Sequence, residues 1–406
     1  MSENKKSAWL RFLEFVDAPK RRNVSIPVLA VLLSLIAMCI FLLLLGKDPL
    51  LAMSSFLKGC GFLPKGSYAG GKGMITDLMS FLDVLAPMLL ASLGVVVAMK
   101  AGLFNIGIAG QMLASGYIAT VVIGYSGLGA AAAKPLVILT GIVVGGLMGA
   151  LVGFLKYRFN IHEVVSTIMI NYIVSYVTGF CINTYYADMI SRSSKVCSSA
   201  SRLTITGVPF MGYSLDLPMG IVIALLMVFV VKYMLEKTVL GFEIRCVGAN
   251  NLCSRYIGIN VGRNVVTAMA FSGVLAGLAG VTYYLGYYNT IIPKDLASMG
   301  YDSIAVALLG NNSPIGTIFA SILITIFQKG NVYMSSQVEV PREIASVITG
   351  ILLLFSACGA FIWDYVRRRR EHLEESYAES LVRTARDPSD SEPPPDVPAE
   401  GKGAAK

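Results

Sequence analysis

Apolar stretches recur along most of the chain and are separated by short polar segments. Most of them approach the roughly 20 residues that an α-helix needs to cross about 30 Å of hydrocarbon. We predict membrane-spanning helices over the ranges 26–46, 82–99, 103–123, 135–155, 163–183, 218–235, 264–285, 299–310, 314–328 and 343–363. The pattern therefore predicts an all-α protein, a polytopic transmembrane helical bundle of about ten spans.

The basic residues lie beside the apolar stretches and predict how the spans are oriented. Lys and Arg concentrate in the short loops on the cytoplasmic side of a membrane. They are frequent in the segment 1–25, the connection 156–162, the loop 236–263 and the run 367–370. Alternating spans place all four of these on one side, so both termini are predicted to lie inside.

The same pattern divides the chain into three regions. These are a cytoplasmic N-terminal segment at 1–25, a transmembrane domain at 26–363 and a cytoplasmic tail at 364–406. The last part of the tail is charged and rich in Pro, and such a composition cannot bury enough apolar surface to fold. Two longer outside segments, 47–81 and 184–217, favour short helices on the external face.

Composition excludes several classes of function. The chain has 406 residues, of which 55% are hydrophobic and 14% charged, whereas soluble domains carry about 25% charged residues. The net charge of +8 lies beside the spans, which indicates contact with membrane lipid and not with nucleic acid. The seven cysteines lack metal-ligand spacing, and His162 and His372 are far apart, so neither a metal site nor a catalytic cluster is predicted.

Ionisable residues are scarce near the middle of the predicted spans. Asp83, Asp302 and Glu343 fall toward the outer ends, and Glu163 and Arg263 toward the inner ends. Proton-driven carriers use such groups as relays, and the phosphate-loop pattern of ATPases is absent from the sequence. We expect the energy source on a separate chain, and a sodium-coupled carrier that works alone stays as an alternative.

Two kinds of small or polar side chain recur within the spans at four-residue spacing. The glycines at 141, 145, 149 and 153, and those at 273 and 277, predict closely packed helices. The polar side chains predict either hydrogen bonds between helices or a translocation pathway. The pathway candidates are Asn105, Gln111, Glu163, Thr167, Asn171 and Ser175.

The loop 236–263 is the longest inside connection between spans, and only it has room for a docking element. Its glycines allow tight turns or close backbone approach, and Asn250 is suited to cap a short helix that begins there. The alternative is a solvated basic loop that only fixes orientation. The candidate coupling residues are Gly241, Glu243, Arg245, Gly248, Asn250 and Gly258.

Four segments carry a likeness to a known family. These are AGLFNIGIAGQM at 101–112, HEVVST at 162–167, GFEIRCVGAN at 241–250 and YDSIAVALLG at 301–310. Together they resemble the permeases of bacterial ABC importers for nucleosides and related simple sugars. Ribose-type and branched-chain amino-acid permeases share this architecture and remain alternatives.

The resemblance implies the partners and the setting of the chain. It implies a multi-pass protein of the bacterial cytoplasmic membrane, a cytoplasmic ABC ATPase subunit that binds ATP and Mg, a second permease chain that is related or identical, and an external substrate-binding lipoprotein. It also implies a coupling helix in the loop 236–263 and a nucleoside-like solute. No cofactor is expected on this chain itself.

Overall fold

The chain is predominantly helical in the computed structural model. The model describes residues 22–68, 72–188, 190–210, 213–357, 361, 364–365, 367–373 and 375. Most of the predicted N-terminal segment 1–25 and the larger part of the predicted tail 364–406 therefore lie outside the described residues.

The helices and strands follow one another in this order. The helices are α1 Arg22–Leu44, α2 Pro49–Gly59, α3 Met74–Lys100, α4 Ile108–Ala119, α5 Ala130–Phe159, α6 Glu163–Cys181, α7 Met219–Lys237, α8 Val239–Ala249, α9 Asn251–Tyr256, α10 Val261–Thr282, α11 Ser298–Leu309, α12 Pro314–Gln337 and α13 Arg342–Ala357. Between α6 and α7 lie the strands β1 Thr204–Phe210 and β2 Tyr213–Pro218. Short π-helical turns continue α4, α6 and α10 over Thr120–Gly124, Ile182–Tyr186 and Tyr283–Tyr287.

Six of the described helices, α3, α5, α6, α7, α10 and α12, are long and apolar enough to cross a membrane. There are up to seven if α1 and α2, which meet at a bend of 119°, form one span. The predicted spans 103–123 and 299–310 correspond to the shorter apolar helices Ile108–Gly124 and Ser298–Leu309. The helical bundle is confirmed, and the count of ten and the orientation of the termini stay predictions.

Helix α3 is the centre of the bundle. Every residue from Val84 to Ala98 is buried, because the helix carries apolar or small side chains on all sides and is surrounded by other helices. It contributes to the main core cluster together with residues of α4, α7 and α10. The functional segments described below are positioned against this helix or against α10.

The glycines of α5 and α10 let the two helix backbones touch. A Cβ atom added to Gly145 would lie 2.2 Å from the carbonyl oxygen of Gly273, and one added to Gly277 would lie 2.0 Å from that of Gly141. Larger side chains at these positions would force the helices apart. The predicted packing role of the glycine spacing is confirmed.

The prediction of short helices within 184–217 is wrong for the second half of that segment. Strands β1 and β2 form an antiparallel hairpin, in which Val208 pairs with Leu215 and Phe210 with Tyr213. The β-branched and aromatic residues of this stretch fit a pleated strand better than a helix. Gly207 adopts a φ of +75° at the irregularity in β1, so the protein is not entirely helical.

The hairpin and the segment before it cover one end of the bundle, which we call the hairpin end. Thr204 donates from Oγ1 to Oδ1 of Asp83 on α3 at 2.9 Å. The backbone N–H of Leu203 donates to the carbonyl oxygen of Leu285 at 2.9 Å. Helices α8 and α9 lie at the opposite end of α7, which we call the α8–α9 end.

Helix α2 confirms a short helix within the predicted outside segment 47–81. It begins after Asp48, whose Oδ1 accepts the backbone N–H of Leu50 at 2.9 Å, and it has Pro49 in its first turn. The helix packs against α12, because the rings of Phe56 and Phe327 meet edge to face with centroids 5.0 Å apart. It is therefore part of the packed bundle and does more than lie on a surface.

Candidate functional site

The predicted coupling segment folds into two consecutive short helices, α8 and α9. Asn250 separates them, and its Oδ1 accepts the backbone N–H groups of Leu252 and Cys253, each at 3.0 Å. This is an N-cap, because a side-chain oxygen satisfies N–H groups that lack a partner in the first turn. The predicted helix start at Asn250 is confirmed.

Two glycines of this segment hold α8 close to the ends of other helices, and a third allows a turn after α9. A Cβ atom on Gly248 would lie 2.2 Å from the carbonyl oxygen of Lys100, and one on Gly241 would lie 2.0 Å from that of Met234. Gly258 has a φ of +84°, a conformation that favours glycine. The predicted tight turns and close approaches are present, and they attach α8 to α3 and α7.

Glu243 of α8 contacts α10 and Arg245 bonds within its own helix, while apolar residues of α9 are exposed. Glu243 accepts a hydrogen bond from Nδ2 of the buried Asn264 at 2.8 Å. Arg245 donates from Nε to the carbonyl oxygen of Gly241 at 3.3 Å. Leu252 is 68% exposed and Tyr256 is 91% exposed. These two side chains form an exposed apolar surface at this end of the bundle.

Asn105 and Gln111 form a buried hydrogen-bonded group at the start of α4. Nδ2 of Asn105 donates to Oε1 of Gln111 at 3.2 Å and to Oγ of Ser272 at 2.9 Å. Ser272 in turn donates to the carbonyl oxygen of Gly94 at 2.7 Å. The group fixes the non-helical entry to α4 between α3 and α10, where irregular backbone must be satisfied by protein.

Asn171 of α6 binds the first turn of α4 with both ends of its amide. Its Oδ1 accepts the backbone N–H of Gly110 at 2.9 Å, and its Nδ2 donates to the carbonyl oxygen of Ile106 at 3.1 Å. The hydroxyl of Tyr301 lies 3.4 Å from the same Nδ2. The amide is thus fully occupied by contacts within the protein.

The remaining pathway candidates lie along the same face of α6. Glu163 forms an ion pair with Lys156 at the start of the helix. Thr167 donates to the carbonyl oxygen of Glu163 at 2.9 Å, and Ser175 is buried. These side chains are buried or paired within the protein, and a role in translocation stays a prediction.

A separate cleft opens between α3, the π-helical turn after α10, and helices α11, α12 and α13. Its volume is about 890 Å³, which falls in the range of about 300 to 1,000 Å³ typical of small-molecule sites. None of the six pathway candidates lines it. Its polar and aromatic lining includes Lys65, Asp77, Tyr283, Tyr287, Tyr288, Asp302, Gln328, Lys329, Asn331 and Tyr333.

Aromatic rings form one wall of the cleft. The rings of Tyr287 and Tyr288 lie edge to face with centroids 4.7 Å apart, and Tyr283 lies 5.0 Å from Tyr288. The tyrosines of this wall come from the sequence YYLGYY at 283–288. From the sequence alone, they are equally typical of residues at the membrane–water interface or in a protein core. Their grouping at one cavity depends on the π-helical turn, which the sequence pattern does not predict.

Charged and amide side chains form another part of the lining. Gln328 donates from Nε2 to Oδ2 of Asp302 at 2.6 Å. Lys329 donates from Nζ to Oγ of Ser80 at 2.6 Å and lies 5.3 Å from the ring centre of Tyr287. Lys329 lies just beyond the predicted span 314–328, but α12 continues to Gln337, so the sequence did not place this ionisable side chain within a helix of the bundle.

Known membrane permeases are similar to this chain over most of its length. Residues 78–357 match the family described as "Branched-chain amino acid transport system / permease component". The guanosine ABC transporter permease protein NupP of Bacillus subtilis is 35% identical over 82% of this chain and 93% of its own length. The nucleoside ABC transporter permease protein NupB of Lactococcus lactis subsp. cremoris is 31% identical over 83% of this chain and 92% of its own length.

A more distant relative is named for a different solute. The glucose ABC transporter permease protein TsgB13 of Haloferax volcanii is 25% identical over 72% of this chain and 79% of its own length. No solved structure matches the chain. The family match covers α3 through α13, which hold the α8–α9 pair and almost all of the cleft lining. The chain therefore belongs to this family of multi-pass membrane permease components.

Proposed function

We propose that this chain is the membrane-spanning permease subunit of an ABC importer and that its solute is a nucleoside. The observation that carries the proposal is the 35% identity to a guanosine permease across 93% of that relative's length. A second relative named for nucleosides supports it at 31%. Relatives named for sugars match at 25%, which makes the sugar alternatives weaker.

The lining of the cleft suits such a solute. A nucleoside is uncharged at neutral pH, with a flat base that can pack on tyrosine rings and a sugar whose hydroxyl groups need hydrogen bonds. Removing an uncompensated hydroxyl from water costs roughly 2 to 7 kcal/mol. The amides of Gln328 and Asn331 and the nearby tyrosines are groups that offset this cost.

The proposed importer contains several chains. ATP hydrolysis takes place on a separate ABC ATPase subunit that binds ATP and Mg, and this chain has no ATPase site of its own. The ATPase contacts α8 and α9, and an external lipoprotein delivers the solute. Two permeases of Bacillus subtilis named for guanosine, NupP and NupQ, match this chain at 35% and 25%, which supports a second, different permease chain as partner.

The proposed setting is the bacterial cytoplasmic membrane, with about ten crossings and both termini inside. The α8–α9 end then faces the cytoplasm and the hairpin end faces outward. The basic residues of 1–25, 236–263 and 367–370 support this orientation. The cleft lies toward the hairpin end, where a solute would arrive.

Uptake measurements test the proposed function. Deletion of the gene should abolish uptake of radiolabelled guanosine, and excess unlabelled guanosine should compete in the intact strain. Uptake should stop when the partner ATPase is inactivated. Competition by leucine or ribose alone would instead assign a branched-chain amino-acid or ribose-type permease, and sodium-dependent uptake without the ATPase would assign a secondary carrier.

A further inference from the structure

Asp302 differs from the other charged residues of the cleft because no described residue neutralises it. Asp77 pairs with Lys65 at 2.7 Å, and Lys329 contacts Ser80 and the ring of Tyr287. Asp302 receives one hydrogen bond, from the neutral amide of Gln328 to Oδ2. Its Oδ1 accepts no hydrogen bond from the described part of the chain.

A carboxylate in this position is costly and calls for a reason. It lies within the bundle, where acidic groups are rare and usually mark a solute or ion pathway. If its purpose were only to attach α11 to α12, a neutral amide at 302 would accept the bond from Gln328 equally well. Asp302 lines the cleft, so this unused acceptor capacity is available to a solute there.

The tyrosine wall can bind a flat ring but cannot distinguish one nucleobase from another. Every base has a π-face, so stacking tolerates all of them. Discrimination has to come from groups that contact the edge of the base. Asp302 and Gln328 are a carboxylate and an amide that line the same cleft as the tyrosines.

We propose that Asp302, oriented by Gln328, selects a purine nucleoside whose base presents two adjacent N–H donors. This deepens the proposed function and rests on it. Guanine has this edge, because its ring N1–H and its 2-amino group lie side by side and fit the two oxygens of a carboxylate. Adenine, cytosine and uracil each place an acceptor next to their donor. Oδ2 can accept from Gln328 and from the base together, since each carboxylate oxygen has two lone pairs.

The test compares uptake of guanosine with uptake of inosine, which lacks the 2-amino group. Proteoliposomes hold the complete importer, with one binding lipoprotein used throughout, so that its own preference cancels between variants. We expect Asp302→Asn to lower the guanosine-to-inosine uptake ratio about tenfold relative to the wild type, equivalent to about 1.4 kcal/mol. An Asn side chain offers one acceptor and one donor, which fit the N1–H and O6 that guanosine and inosine share, so the advantage that the 2-amino group gives to guanosine is lost.

Two further variants make the result decisive. Asp216→Asn is the matched control and should keep the wild-type ratio, because Asp216 lies on β2 outside the cleft lining, where its Oδ1 accepts the backbone N–H of Gly207. Gln328→Met should also lower the ratio, because the carboxylate loses the amide that orients it, and this variant serves if Asp302→Asn fails to insert. An equal fall in guanosine and inosine uptake in both cleft variants would overturn the inference and leave the proposed function intact. Absence of nucleoside uptake by the wild-type importer would overturn both.

Discussion

The hydrogen-bonding groups of Asn171, a polar residue in a span, are satisfied by other parts of the protein. Its amide accepts the N–H of Gly110 and donates to the carbonyl of Ile106. Both backbone groups belong to the irregular start of α4, where a helix cannot satisfy them. Because the surroundings exclude water, each group needs this partner.

We predict that Asn171→Leu destabilises the permease without impairing transport by the molecules that fold. An unpaired buried polar group costs about 1 to 3 kcal/mol, so the thermal midpoint and the amount of folded permease should both fall. Fluorescence-detected size exclusion and uptake normalised to folded transporter measure the two effects. Tyr172→Leu, at a neighbouring position that is 56% exposed, is the control and should change neither.

The opposite result would restore Asn171 as a pathway residue. Unchanged stability together with a severalfold loss of uptake per folded transporter would mean that its amide contacts the solute during the transport cycle. Such a contact would require the bonds to Gly110 and Ile106 to break in another state.

The structural role of a single residue could be predicted where it follows from the side chain itself and from the loop in which it lies. The cap at Asn250 and the close approach of Gly248 follow from side-chain properties and from the loop they occupy. Lys329 could not be identified in this way, because its place depends on how far α12 continues. The pairing of Asp302 with Gln328 joins residues 26 apart in the sequence, and the hydrophobic pattern carries no information on it.

At the scale of helices, α9 depends on its cap. It has only six residues, which is too short for a helix to be stable on its own. The two hydrogen bonds from Asn250 and the packing of the buried Ser254 hold it in place. Its exposed Leu252 and Tyr256 are therefore presented in a defined direction at the α8–α9 end.

We predict that Asn250→Ala uncouples ATP hydrolysis from uptake. Loss of an N-cap costs about 0.5 to 2 kcal/mol, which should fray α9 and weaken its contact with the ATPase while the bundle stays inserted. The measurement is solute-stimulated ATPase activity together with uptake in the reconstituted importer. Asp48→Ala removes the corresponding cap of α2 and should leave the coupling ratio unchanged, whereas wild-type coupling in Asn250→Ala would remove α9 from the ATPase contact.

Whole elements were predictable where one pattern dominates a long stretch. The contact of α5 with α10 follows from glycines repeated every four residues, because only small side chains allow such close backbones. The hairpin at 204–218 did not follow, since its strands are short and its hydrophobicity is modest. The packing of α2 against α12 did not follow either, since it depends on the tertiary contact of Gly59 with Gly330.

At the scale of the molecule, α7 separates the two proposed contact surfaces. It has 19 residues, so its length is about 28 Å at 1.5 Å per residue. That length matches the hydrocarbon core of a bilayer. The hairpin precedes α7 and α8 follows it directly, so a single crossing by α7 puts them on opposite sides of the membrane whatever the total number of spans.

We predict that a reporter inserted within 236–263 reads cytoplasmic and one inserted within 184–217 reads external. A reporter after Arg370 should also read cytoplasmic. The first pair tests α7 alone, whereas the third reporter tests the number of crossings between α10 and the tail, since an odd error there would move it outside. Alkaline phosphatase is active only outside and green fluorescent protein folds inside, so paired fusions at each site provide a positive signal in either case.

If the reporters in both loops are on the same side, α7 does not cross the membrane, and the ATPase and the lipoprotein cannot use the surfaces assigned to them. If only the tail reads external, the α8–α9 contact stands and the short helix α11 does not count as a crossing of its own.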